Sequence, residues 1–171
     1  MPGVATKFWI VCGEETPLTR RLVKEVNEWR VPGVRARLSY RMPLSAESAI
    51  AKAEHAIFIT LSDYPYRQVR VDPVGSHLPN TVCSSTAFLP TSFPPTSFLH
   101  ALRCRHGKAP NAWWFQVPTT EVCQQGTKHV SLEHSLSQTL SKIELFVRNY
   151  NYSHVTHTDV SGRTPSSKLS A

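Results

Sequence analysis

Three short apolar runs constrain this chain more than any other feature: Phe8–Cys12 (FWIVC), Ala56–Leu61 (AIFITL) and Ala112–Val117 (AWWFQV). Each is rich in β-branched or aromatic residues and lacks polar alternation, so each reads as a strand buried on both faces. Strands of that kind need a covering layer above and below.

The segments between them supply the cover. Thr16 stands at a helix N-cap with Pro17 at the first helical position, where a missing N–H costs nothing. Leu18, Leu22, Val26 and Trp29 then recur at helical spacing and give one apolar face that ends near Pro32 and Gly33. From Val34 the period becomes two: Val34, Ala36, Leu38 and Tyr40 alternate with Arg35, Arg37, Ser39 and Arg41, a strand with one wet face near a sheet edge. Ser45 can cap a second helix over Ala46–His55. The order β-α-β-α-β predicts an α/β fold of three layers: a doubly wound, mostly parallel twisted sheet of about five strands, with helices on both faces.

Further along, Tyr66–Val71 is a candidate strand whose pairing could be antiparallel, and residues 73–95 read as a long Pro-, Ser- and Thr-rich loop. Pro95, Thr96 and Ser97 open a helix that runs to about Arg105 and stops at Gly107. Pro118 to Gly126 reads as an acid-containing loop. Ser131 caps the last helix, with Glu133 in its first turn and Leu136, Leu140, Ile143 and Val147 as its buried stripe. The expected division is one domain over 1–150 and a polar, disordered tail over 151–171.

At 171 residues, 40% of them apolar, the chain can bury one core and is short for two domains. Nineteen Lys and Arg against twelve Asp and Glu give a formal net charge of +7. The basic residues are scattered without interleaved aromatics, which predicts a solvated basic surface and argues against nucleic acid as a partner. No run approaches the length needed to span a bilayer, and Cys12, Cys83, Cys104 and Cys123 lack the CxxC spacing of a zinc site. A soluble, cytoplasmic monomer with reduced thiols is expected.

In an open α/β sheet, ligands bind beyond the carboxyl ends of the strands. Three segments leave such ends, and each carries acid: Glu14 and Glu15, then Asp63, then Glu121. Carboxylates brought together from separate loops can ligate a divalent ion or divide acid and base roles. His77, in the long loop, is the histidine left open as a ligand; His100 reads as packing, His129 and His134 as surface residues, and His154 and His157 belong to the expected tail. The first β-α turn, GEETP, has one glycine where a dinucleotide fingerprint needs three, and no GxSxG elbow or Cys–His pairing is present. No catalytic residue and no cofactor-binding residue is assigned.

The order of elements, together with PPTSFLHALRCRHGKAPNAWWFQVP and the following Gly126-to-Ser131 helix start, resembles the hydrogenase maturation proteases over roughly residues 7–148. The resemblance implies an α/β endopeptidase (a hydrolase) that removes the C-terminal extension of a nickel-iron hydrogenase large-subunit precursor once nickel is inserted. It implies no permanently bound cofactor: the nickel sensed belongs to the substrate protein. In that family an acid after the first strand, an aspartate ending the third and a histidine before the third helix are thought to meet the nickel. Here the first position falls on Glu15 or Glu14 across a deletion, the second on Leu61 or Ser62 with Asp63 just beyond, and the third near Thr91. The alternative is a non-catalytic maturation or interaction factor of the same fold that has lost the metal-sensing residues.

Overall fold

The computed structural model describes residues 6–29, 31–39, 42–74 and 95–162, with 151–162 described by backbone alone. The first apolar run forms strand β1 (Phe8–Cys12), followed by helix α1 (Pro17–Glu28). Thr16 caps α1 as its sequence predicts. Its hydroxyl accepts from the Thr19 N–H, and the Thr19 hydroxyl accepts from the Thr16 N–H at 2.8 Å, a reciprocal capping box. Gly33 turns the chain with φ 82° into β2 (Val34–Leu38).

Helix α2 spans Leu44–Lys52, so it starts and stops earlier than the sequence suggests. Pro43, not Ser45, stands at its N-cap, and the Pro43 carbonyl accepts from the N–H groups of Ala46 and Glu47. The helix ends before His55 because that residue is recruited into β3 (His55–Ser62), where it pairs with Phe8. Next come β4 (Arg70–Pro73), α3 (Pro95–His106) and β5 (Asn111–Pro118). The 73–95 loop, and His77 with it, lies almost wholly outside the described residues.

The main sheet has the order β2-β1-β3-β5-β4. The first four strands are parallel and β4 is antiparallel to β5, with Val71 opposite Phe115. Side chains alternate across the sheet. Phe8, Ile10, Ile57, Ile59, Phe115 and Val117 meet Leu22 and Val26 of α1 on one side. Val11, Ala56, Phe58 and Ala112 meet Ile50 of α2 and Phe98 and Leu102 of α3 on the other. The predicted three-layer α/β fold is therefore what forms.

Besides α2, and β4, which starts at Arg70 where Tyr66 was expected, two more elements depart from the sequence-based expectation. The acid-containing segment after β5 is a hairpin of β6 (Thr120–Cys123) and β7 (Gly126–His129), joined through Gln124 and Gln125. Its strands are four residues each and mostly solvent-exposed, so no apolar alternation marks them. The last helix, α4 (Leu132–Gly162), covers the α1 side of the sheet through Leu136, Ile143 and Val147 and continues twelve residues past Tyr150, where an irregular tail was expected from Asn151. The residues of that extension are weak helix formers without an apolar period, so nothing in the sequence announces it. Among the described residues, no helix is long and apolar enough to cross a membrane.

Candidate functional site

In this strand order the chain winds outward in opposite senses from β1 and β3, which makes the crevice beyond their carboxyl ends the topological switch point. Three chain segments are stitched together at its floor. The Gly13 N–H donates to the Ile59 carbonyl at 2.9 Å, extending the β1–β3 pairing. The Ser39 N–H donates to the Cys12 carbonyl at 2.9 Å, and the Ser39 hydroxyl to the Gly13 carbonyl at 3.3 Å.

The backbone of the loop carrying Glu14 and Glu15 is held locally by the helix that follows it. The Thr19 hydroxyl, already in the capping box, also donates to the Glu14 carbonyl at 2.7 Å, so the first turn of α1 pins the loop backbone. Both carboxylates are exposed. One oxygen of Glu15 accepts from Nε and Nη2 of Arg20 at 3.0 and 2.7 Å. Glu14 forms no side-chain hydrogen bond or ion pair among the described residues.

Asp63 leaves the neighbouring strand at a different height. Ile59 is level with Cys12, and β3 continues three residues beyond it, about 10 Å at about 3.3 Å per residue. Asp63 is then fastened to the start of the hairpin and not to the Glu14 loop. The Thr120 hydroxyl donates to its carbonyl at 2.8 Å, the Thr119 hydroxyl lies 3.5 Å from Oδ1, and the Thr119 N–H donates to the Ser62 carbonyl at 3.0 Å. Glu121, one strand position later, pairs with Lys128 across the hairpin at 3.1 Å, which raises the Lys128 ammonium above its ordinary value.

The carboxylates of the first and third strands thus flank one switch point as exposed oxygen donors on separate, well-anchored loops. They do not form a closed cage: no three His, Cys, Asp or Glu side chains are grouped as a metal site among the described residues. His77 lies outside those residues. His100 is half-buried on α3, its Nε2 3.6 Å from Cys104 Sγ. His129 and His134 are exposed, and the His134 N–H donates to the Ser131 hydroxyl at 3.2 Å, the expected cap of α4.

Cysteine chemistry is set by burial. Cys12 is fully enclosed under the crevice floor, and desolvation pushes its thiol up to about 12, so it stays protonated and unreactive at neutral pH. Cys123 is a free thiol on the hairpin. Cys104 is disulfide-bonded, which corrects the expectation of four reduced thiols.

Two features escaped sequence reasoning. A cleft of about 440 Å³ opens beside the Asp63 loop, lined by Tyr66, Arg67, Pro118, Val122 and His134 among others. Next to it Tyr64 is 65% exposed and packs on Tyr66 with ring centroids 4.7 Å apart. The closely spaced Tyr64, Pro65 and Tyr66 were the available signal. The second is Glu47, 1% exposed on α2, whose oxygens lie 3.2 and 3.3 Å from Arg105 Nη1 and 3.2 Å from His106 Nε2 at the end of α3. Its spacing with Ile50 and Ala51 puts it on the buried helix face, which the sequence does disclose.

Comparison with protein families, with curated proteins and with solved structures gave no match to this chain.

Proposed function

We propose that this chain is a hydrogenase-maturation-protease-like endopeptidase that removes the C-terminal extension of a nickel-iron hydrogenase large subunit after nickel insertion. One observation carries the proposal: β1 and β3 are direct neighbours, so Glu14 and Glu15 on one loop and Asp63 on another flank a single switch point. The resemblance asks for an acid after the first strand and one ending the third; Glu14 or Glu15 can supply the first, and Asp63 stands just beyond the second. Carboxylates held open in this way can offer oxygen ligands to a divalent ion carried in by a partner. The adjoining cleft, with Tyr66 and Arg67 on its wall, suits an extended peptide segment.

A second reading has its own observation. The Glu15 carboxylate is already forked by Arg20, as it would be in an interaction factor that kept the fold and gave up metal sensing. Incubating the purified chain with a nickel-loaded large-subunit precursor and following the precursor's mass separates the two. Loss of the extension supports the endopeptidase. An unchanged mass with a stable complex supports the interaction factor, and no complex with no cleavage rejects both.

A further inference from the structure

A groove of about 730 Å³ runs along the outer edge of the sheet at β2, on the side away from the crevice loops, with Trp9, Val31, Pro32, Arg35 and Arg37 in its walls. The strand register sets Trp9 beside Arg35 and Val11 beside Arg37. Residues two apart on a strand share a face, so Arg35 and Arg37 project together about 7 Å apart along the chain, opposite the face that Val34 and Ala36 give to the core.

Faces of a doubly wound sheet are normally apolar. This one carries two guanidiniums, and neither Arg35 nor Arg37 forms an ion pair among the described residues. The one described hydrogen bond of Arg37 is from Nε to the Leu38 carbonyl at 3.3 Å, and desolvation holds its guanidinium below the ordinary value. The Nε1 of Trp9 is buried and has no acceptor among the described residues. A part-buried guanidinium with no counter-charge among the described residues is unfavourable, and Arg37 holds one at the wall of this groove.

Another strand cannot resolve this by adding to the edge. The outward N–H and carbonyl of Ala36, at the middle of β2, are already taken by the side-chain amide of Asn27. Among the described residues no anion faces this groove, and two adjacent forks of donors match a doubly charged tetrahedral oxyanion better than a singly charged carboxylate.

We propose that the β2-edge groove binds a phosphate group, gripped by the guanidiniums of Arg35 and Arg37 against the indole of Trp9. The site is separate from the switch-point crevice and does not depend on the proposed peptidase activity. The group can come from a small phosphate monoester or from the headgroup of a phosphatidate-containing membrane; the chemistry recognised is the same.

The test uses the full-length chain at constant ionic strength, titrated with inorganic phosphate while the Trp9 indole N–H resonance, assigned with Trp9→Phe, is followed by NMR. The expected result is a saturable shift at millimolar phosphate, matched by sulfate but not by acetate. Arg35→Gln and Arg37→Gln should each weaken it about tenfold, and Arg37→Lys should weaken it less because it keeps the charge and loses the fork. Since Arg35 is exposed, its variant tests the site even if changes at Arg37 disturb folding. Titration with glycerol phosphate, and flotation with vesicles containing phosphatidate, then tell the two sources apart, and binding to either that is lost in Arg35→Gln supports the site. No saturable shift below about 10 mM phosphate, an equal response to acetate, or full binding by both glutamine variants overturns it.

Discussion

The side chain of Asn27 makes both hydrogen bonds to Ala36 that a neighbouring strand would make: Nδ2 donates to the Ala36 carbonyl at 3.0 Å, and Oδ1 accepts from the Ala36 N–H at 2.9 Å. A residue near the end of α1 thereby closes the middle of β2, one of the two edge strands of the sheet.

Replacing Asn27 with Ala should therefore have two effects. Stability should fall by about 1–3 kcal/mol, because both backbone groups of Ala36 lose their partner. Self-association should rise. Urea unfolding and size-exclusion chromatography over a concentration series measure both, and a variant as stable and as monodisperse as the parent would show that the amide does not guard the edge.

Glu47 is the most deeply buried charge-bearing contact in the described structure, set between α2 and α3. Glu47→Ala should cost about 3 kcal/mol, since Arg105 and His106 lose the carboxylate that compensates their partial desolvation. Glu47→Leu combined with Arg105→Met should recover much of that loss. Chemical denaturation of the single and double variants decides the matter, with a single-variant effect under about 0.5 kcal/mol counting against the pairing.

Cys12 makes stability depend on alkaline pH. Its folded thiol is raised from 9.0 to about 12, so between those values the unfolded chain releases a proton that the folded chain retains. Fewer protons on the unfolded state mean that stability falls as pH rises; the contribution is fully present below about pH 9 and is lost at up to about 1.4 kcal/mol per pH unit above it. Cys12→Ala should flatten the alkaline limb of a melting-temperature profile. In the parent at pH 8, iodoacetamide should label Cys123 far faster than Cys12, and equal labelling would contradict the burial.

If the chain is the proposed endopeptidase and Glu15 meets the partner's metal, Glu15→Gln should abolish processing of the precursor while changing stability by less than about 1 kcal/mol, because the Glu15–Arg20 pair is exposed on both sides. Full processing by this variant would remove Glu15 from the site. Arg20→Ala should leave processing intact or improve it by freeing the carboxylate; strong loss of activity there would instead mark the pair itself as functional.

Local sequence signals were reliable wherever one chemical preference dominated. Thr16 and Pro17 announced the start of α1, Gly107 with φ 77° the end of α3, and Ser131 the start of α4. Signals failed where a partner decided. His55 left the helix pattern of α2 because pairing with Phe8 made it a strand residue, and the β6–β7 hairpin forms by cross-strand bonds between polar residues that no hydrophobic period reveals. At the candidate site the acids were all visible, but their fastening was not. Asp63 is tied to Thr119 and Thr120, some 56 residues away along the chain.

By itself the sequence determined the layer architecture, because apolar runs without alternation must be covered on both faces, and the helical spacing of Leu18, Leu22 and Val26 supplies part of that cover. It also placed the acids at strand ends. Only the tertiary structure decided that β1 and β3 are neighbours, that Glu47 is buried against Arg105 and His106, and that Arg35 and Arg37 share a groove with Trp9. These are contacts between residues distant in sequence. Their energies depend on which strands and helices come to lie side by side, and local propensity carries no record of that choice.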